Sequence, residues 1–442
     1  MRGIEAAIKV LNDSRKSQNK FANELLRTLA SQEKMKSTDI SLASSLIYIV
    51  MRRRELWENI ASNFLKKNND FDKLPEFVKD CILIGTGGLL ELRRFSSGVL
   101  VNGIVENLRT KKFMKFVPLV NAVLHNVNES GSQKLEYIKK SPLNEERALW
   151  AGIPVLTLPA WLKTWNKQEL NSLFDYMIQP PASSLRVSPT VDAKIISEKF
   201  EGEISPLSGA IHLNGTVNPT ELEGFKEGLF TIQSESSILT ASIVKKFYDK
   251  KNNILDMCSG RGVKAAQILQ ENPDAFLECW ELSDYRQKSA EDELKRLNII
   301  NRASLKNGNA LNLKPDKEPS FIVLDAPCSC SGTWNRKPES KWRFNWENFD
   351  KLIYTQKKLL EHAVNLCSKN GYILYITCSL LKQENENIIA DILSKYQESC
   401  VEVSSLLKWN KKPFRKGKPW GVYIMPENPW LDGFYCSLIF KK

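Results

Sequence analysis

Two short apolar runs constrain this chain most. Residues 321–324 and 372–376 have the length and make-up of buried strands, and each runs straight into a cysteine-bearing turn. The first continues as Asp325-Ala326-Pro327-Cys328-Ser329-Cys330 and the second as Thr377-Cys378-Ser379. Each cysteine is therefore expected just beyond a strand's carboxyl end, the edge of an open α/β sheet at which ligands bind. From Asn253 onward, short apolar runs alternate with helical stretches, which predicts a parallel sheet covered on both faces.

The first part of the chain has a different period. Ile4, Ile8 and Leu11 share a helix face, as do Phe21, Leu25 and Leu29, then Leu42, Leu46, Ile49 and Val50, then Leu56, Ile60 and Phe64. Phe77, Val78, Cys81 and Ile82 follow Pro75, a proline suited to a first helical turn. An all-α bundle over residues 1–140 is the reading, closing in a polar linker over 129–142 that contains Ser130, Gly131 and Ser132. Residues 141–229 mix helical signals (Trp161, Leu162, Trp165) with a strand at 183–187, so a small α+β segment is expected there. Residues 230–442 form the α/β part.

With 442 residues, the chain is long enough for two or three cores. No apolar run reaches the roughly 18 residues needed to span a bilayer, and the first residues are broken by charges, so a cytoplasmic protein without a membrane partner is expected. Nine cysteines, an odd number without regular spacing, point to reduced thiols rather than a disulfide framework. Lys and Arg exceed Asp and Glu by 63 − 51 = 12, so the surface attracts polyanions. A monomer is expected.

A thiol pair of this kind suits one chemical problem. Carbon 5 of a pyrimidine is too electron-poor to accept a methyl group until a thiolate adds at carbon 6 and pushes electron density across the ring. A carboxylic acid nearby can hold N3 protonated meanwhile, and Asp325 lies three residues before Cys328. The two stretches resemble motifs IV and VI of the NOL1/NOP2/Sun family of RNA 5-methylcytosine methyltransferases. The resemblance implies that Cys378 is the nucleophile, that Cys328 aids product release and that Asp325 is the acid. Cys330 matches no catalytic position. A zinc site on Cys328 and Cys330 is disfavoured, since no paired His or Cys ligands follow, and no metal is expected.

The cofactor side rests on Ile254-Leu255-Asp256-Met257-Cys258-Ser259-Gly260-Arg261-Gly262-Val263-Lys264, a strand, a glycine-bearing turn and a helix start. A second apolar run ends in Glu281, where a carboxylate can accept from both ribose hydroxyls. The Gly-x-Gly-x-x-Gly spacing of nicotinamide sites is absent, which favours S-adenosyl-L-methionine. The resemblance implies that Cys258, Ser259, Gly260, Arg261, Gly262, Val263 and Lys264 form the methionine-side loop, that Glu281 holds the ribose, that Asn309 lies near the adenine and that Asp325 borders cofactor and base. Here Arg261 and Val263 replace the family's proline and second glycine, and Asn309 replaces an aspartate, so the loop backbone or the cofactor affinity is expected to differ.

The family's fold is a class I, Rossmann-like methyltransferase domain. In the branch acting on small-subunit (16S) ribosomal RNA it follows a NusB-like helical RNA-binding domain, which the runs 50–65 and 119–124 resemble. RNA contacts are expected at Gln233, in a turn where Ser234 replaces the usual aspartate, and at Arg336, Lys337 and Lys341 among Trp334, Trp342 and Phe344. Arg52-Arg53-Arg54 and Arg93-Arg94 add basic charge to the helical part. A transfer-RNA methyltransferase of the same family and a non-catalytic RNA-binding assembly factor are the rival readings.

Overall fold

The computed structural model describes residues 2–16, 22–66, 70–92, 96–214, 218–249, 253–409 and 411–442. Phe21, Arg93 and Arg94 lie outside these described residues. The chain divides into two compact units, residues 1–178 with 337–343 and residues 179–336 with 344–442.

The first unit is helical. Ile4, Ile8, Leu11, Leu46, Val50, Leu56 and Ile60 all enter one core, as their spacing predicts. Its central helix, Glu76–Glu91, is buried over Val78 to Gly88, so it is crossed by other helices on all sides. Three glycines make the crossings close. A Cβ on Gly85 would lie 2.4 Å from Leu124 Cδ2, one on Gly87 2.6 Å from Ile49 Cγ2, and one on Gly88 2.6 Å from Leu100 Cδ2. Pro75 stands immediately before this helix rather than inside its first turn.

The expected linker over 129–142 is corrected. The helix Val117–Lys140 runs unbroken through Ser130, Gly131 and Ser132. Gly131 is buried, and a Cβ there would sit 3.2 Å from Leu90 Cδ2, so the glycine serves close packing and tertiary contact overrides weak helix propensity. The helices Asn144–Ala151, Leu158–Thr164 and Lys167–Ile178 continue this unit, so its division from the rest falls at Ile178.

Residues 337–343 also pack here. Lys341 is 5% exposed and donates to the Arg52 and Gly152 carbonyls at 2.7 and 2.8 Å. Its burial, with Arg52 and Arg53 nearby, pushes its pKa down to about 7. The Trp342 indole donates to the Met51 carbonyl at 3.1 Å, and the Arg15 and Arg54 guanidiniums lie over its ring.

The second unit holds two sheets. The smaller is antiparallel, β1 (Ser184–Val187), β2 (Glu203–Ile204), β3 (Ile211–His212) and β4 (Phe230–Ile232), in the order β2-β3-β1-β4. The larger contains β5 (Asn253–Asp256), β6 (Leu277–Glu281), β7 (Ala303–Asn307), β8 (Pro319–Asp325), β9 (Tyr372–Thr377), β10 (Cys400–Glu402), β11 (Phe414–Lys416), β12 (Val422–Ile424) and β13 (Phe434–Lys441). Its order is β11-β12-β13-β9-β8-β5-β6-β7, with β10 paired to β13. Strands β5 to β9 are parallel, as their apolar runs predict, but β13 pairs antiparallel with β9, so the sheet is mixed. The order reverses at β5, between β6 and β8, the crevice at which doubly wound sheets bind ligands. Among the described residues no helix is long and apolar enough to cross a membrane.

Gly85→Ala tests the close-packed bundle. The helix-propensity gain of up to about 1 kcal/mol is outweighed by overpacking against Leu124, so a net loss of about 1–2 kcal/mol is expected in chemical denaturation. Unchanged or raised stability would contradict the packing account.

Candidate active site

Strand pairing places the two cysteine turns side by side. Asp325 on β8 is opposite Ile376 on β9, and the Ala326 amide donates to the Ile376 carbonyl at 2.9 Å. Three residues beyond Asp325 and two beyond Ile376, the Cys328 and Cys378 Sγ atoms come within 3.3 Å of each other. Both residues are half-buried. The Gly332 amide donates to the Cys378 carbonyl at 2.9 Å, and the Thr333 hydroxyl reaches its Sγ at 3.9 Å. Hydrogen bonds from Cys330 and Cys378, together with burial, hold the Cys328 pKa well above the ordinary thiol value. Cys328 is therefore a thiol that keeps its proton.

A carboxylate that the sequence reading passed over fixes this pairing. Glu384 is fully buried and accepts from the Ser329 amide at 2.7 Å, the Ser329 hydroxyl at 2.5 Å, Gln356 Nε2 at 3.0 Å and the Ser379 hydroxyl. One residue thus ties the turn after Cys328 to the turn after Cys378. Burial pushes its pKa up, against the pull of its donors. The Ser331 and Ser379 hydroxyls meet at 3.0 Å, and Thr377 donates to Asn385 at 2.6 Å. Glu384 stands six residues after the second cysteine in the polar run Lys382-Gln383-Glu384-Asn385-Glu386-Asn387, so the sequence carries no signal of its burial.

On the cofactor side, Lys264 Nζ lies 2.7 Å from Asp325 Oδ2, which joins the glycine-bearing turn to the first cysteine turn. Glu281 Oε2 accepts from the Gly260 amide at 3.0 Å, and Oε1 from the Ser283 amide at 2.8 Å and from Arg286 at 2.7 Å. A carboxylate offers about four acceptor positions, so this one retains capacity for a ligand hydroxyl. Gly260 and Gly262 take φ of +59° and +75°, the left-handed region natural to glycine. A Cβ on Gly260 would meet no atom within 4 Å, whereas one on Gly262 would lie 2.9 Å from Ala290 Cβ, so the first glycine opens toward free space and the second packs on the helix Asp284–Arg296. Val263 is the first residue of the helix Val263–Glu271 and needs no left-handed backbone, so the expected distortion there does not arise. Ser259 donates to the Trp280 carbonyl, Arg261 is exposed with its guanidinium over Tyr285, and Cys258 is half-buried. Asn309 is exposed and its Oδ1 accepts from the Leu311 amide at 3.0 Å.

Asp256, at the end of β5, was not among the expected site residues. It is 1% exposed, and its Oδ1 has no partner among the described residues. Burial, then repulsion from Asp325, raises its pKa from 3.8 to about 7. Such an orphaned buried acceptor beside an open glycine turn fits a polar or cationic ligand group.

Two of the expected RNA contacts are corrected. Gln233 is 3% exposed, and its amide joins Arg186 Nε at 2.7 Å, Gln267 Oε1 at 2.7 Å and Ser237 Oγ at 3.2 Å, an internal network between the small sheet and the helix Val263–Glu271. Lys341 is buried against backbone carbonyls, as described above, and Trp334 is fully buried with its indole on the Ser329 carbonyl. The basic-aromatic stretch is largely an interior feature, because amphipathic side chains can bury their stems and hydrogen-bond their tips. Arg336 is half-buried and held by Asp432 at 3.1 Å and the Ala182 carbonyl at 3.0 Å, and Lys337 is exposed.

The raised pKa of Asp256 makes a pH prediction. The folded protein holds this proton between pH 3.8 and about 7, where an unfolded chain has lost it, so the contribution to stability falls as pH rises through that window and levels above it. Asp256→Asn removes this slope: relative to the parent, the variant's melting temperature should gain steadily from about pH 4 to about pH 7. Parallel curves for the two proteins would contradict it.

Residues 246–440 match the family described as 16S rRNA methyltransferase RsmB/F, and residues 4–129 match the NusB family. Ribosomal RNA small subunit methyltransferase B of Proteus mirabilis is 28% identical over 381 residues, 82% of this chain and 81% of that protein. The probable ribosomal RNA small subunit methyltransferase B of Bacillus subtilis is 23% identical over 99% of this chain and 98% of its own length. Among solved structures, PH0851 superposes with a TM-score of 0.79 at 20% identity, over 99% of this chain and 98% of that one. NSun6 from Pyrococcus horikoshii with SFG has a TM-score of 0.55 at 15% identity, over 64% and 97%. Residues 246–440 are thus a segment of the RsmB/F methyltransferase family, preceded at residues 4–129 by a NusB-family segment.

Proposed function

We propose that this protein is an S-adenosyl-L-methionine-dependent methyltransferase that makes 5-methylcytosine in small-subunit ribosomal RNA through a covalent cysteine adduct. The observation that carries the reading is the 3.3 Å approach of Cys328 and Cys378, from adjacent strand ends, beside an Asp325 held by Lys264. Relatives named ribosomal RNA small subunit methyltransferase B and probable ribosomal RNA small subunit methyltransferase B, matched over 82% and 99% of this chain, support the substrate class.

Asp256, Cys258 to Lys264, Glu281, Asn309 and Asp325 would hold the cofactor. When bound, it supplies a methyl group carried on a positively charged sulfur, which an acidic and open turn accommodates. The chemistry of the chain's own residues then follows in order. With the target cytosine out of its stack, the Cys378 thiolate forms a bond to carbon 6. Asp325 supports the proton at N3, so the electron pair displaced from the double bond stabilises at carbon 5 and becomes nucleophilic there. After carbon 5 is methylated, its proton passes to water, the C–H electron pair re-forms the double bond between carbons 5 and 6, and the bond from carbon 6 to Cys378 breaks with the sulfur leaving as a thiolate. Cys328, in contact with the departing sulfur, aids this elimination. Glu384 is a positioning residue, since it holds both turns through Ser329 and Ser379. The helical unit would supply RNA affinity, with its basic side chains facing phosphate.

Replacing each thiol separately tests the assignment. Cys328→Ala should accumulate an RNA–protein adduct that survives denaturing electrophoresis, and Cys378→Ala should give neither adduct nor methylated RNA. Near-parental methylation by Cys378→Ala would refute the assignment of the nucleophile. An assembly factor without catalysis would instead show no heat on titration with S-adenosyl-L-methionine, whereas the parent protein is expected to bind it.

A further inference from the structure

Cys330 carries out no step of the chemistry above and enters it only through its hydrogen bond to Cys328, yet its sulfur lies with the other two. The Sγ atoms of Cys328, Cys330 and Cys378 all fall within 4.8 Å of one another, and each residue is half-buried. Cys330 is also one of the few non-glycine residues with a left-handed backbone, at φ +58°. That conformation brings its Sγ to 3.5 Å from the Cys328 carbonyl, folding the turn back on itself. Spacing along the chain hides this cluster, because Cys378 arrives from the neighbouring strand, 48 positions after Cys330.

Sulfur ligands about 2.3 Å from a tetrahedral zinc ion stand roughly 3.8 Å apart, a separation that three thiols already within 4.8 Å of each other reach by small side-chain rotations. We propose that Cys328, Cys330 and Cys378 form a three-thiolate capture site for a soft divalent cation, Zn2+ or Cd2+, with the fourth position left to water. On binding, three S–H bonds are replaced by three sulfur–metal bonds, three protons pass to solvent and no electron is transferred. Soft thiolate ligands select such ions over Mg2+ or Ca2+. Binding does not rest on the proposed RNA chemistry. Its consequence does: a captured ion engages the Cys378 sulfur, so methyl transfer stops until a chelator removes the metal. Cys330 raises the affinity without being needed for the reaction.

The test is titration of the reduced, metal-free full chain with Cd2+ alone, followed by the ultraviolet sulfur-to-cadmium charge-transfer band. The parent should bind one equivalent with the intensity of three thiolates. Cys330→Ser should bind at least about tenfold more weakly, with the intensity of two. Cys258→Ser, which alters a half-buried thiol outside the cluster, should keep the parental affinity. Equal affinity and intensity in the parent and Cys330→Ser would overturn the site, as would the absence of a band at stoichiometric Cd2+. Circular dichroism of Cys330→Ser separates loss of the ligand from loss of the fold. In chelator, Cys330→Ser, whose hydroxyl can keep a hydrogen bond to Cys328, should still methylate RNA; failure of both proteins to methylate would count against the proposed function and leave the cadmium result to decide the site independently.

Discussion

The arrangement depends on one buried carboxylate. Parallel pairing of β8 with β9 sets Asp325 opposite Ile376, but pairing ends there, and two loops leaving adjacent strands have no intrinsic reason to stay together. Glu384 supplies the buried centre of that reason by accepting hydrogen bonds from Ser329 on one loop and Ser379 on the other, with the Gly332 amide on the Cys378 carbonyl and the Ser331–Ser379 hydroxyl pair beside it. Each donor left unsatisfied in such a place costs about 1–3 kcal/mol, so the network holds the loops with an energy that is a sizeable part of a domain's net stability. The 3.3 Å between the thiols is a consequence of this network more than of the cysteines themselves.

The cofactor side follows the same logic from another strand. β5 and β8 are neighbours, so the turn after Asp256 and the turn after Asp325 share an edge, and the Lys264–Asp325 pair closes it. Asp256 is left buried beneath them with one oxygen unmatched, a cost that a folded protein retains where a ligand group offsets it. Charge is thus distributed by depth: a carboxyl with its pKa raised to about 7 at the strand end, an ion pair at the rim and a proton-bearing Cys328 thiol where the two turns meet.

The core of this site was legible because its signals are local. A buried strand announces itself by an apolar run, and a residue just past its end falls at the sheet's edge whatever the rest of the chain does; this placed Cys328, Cys378, Glu281 and the glycine turn. Orientation is not local, and it is where reading failed. Gln233 and Lys341 are polar residues beside glycines, aromatics and other charges, a pattern equally suited to a surface and to a buried hydrogen-bonded network, and tertiary contacts with Arg186, Gln267 and the Arg52 and Gly152 carbonyls decided for the interior. Ser130-Gly131-Ser132 reads as a break until Leu90 is packed against the glycine. Glu384 and Asp256 were missed for the converse reason: one carboxylate in a sequence gives no hint of being dehydrated. The antiparallel β13 was recognisable as a strand, but its direction depends on the path the chain takes after β9.

The central claim is that a thiol on carbon 6 activates carbon 5 for methylation, and replacement of the hydrogen at carbon 5 reports it most directly. With small-subunit ribosomal RNA carrying tritium at cytosine carbon 5, each methyl group incorporated should release one tritium to water. Methyl incorporation with the tritium fully retained would place the reaction at another atom and contradict the account.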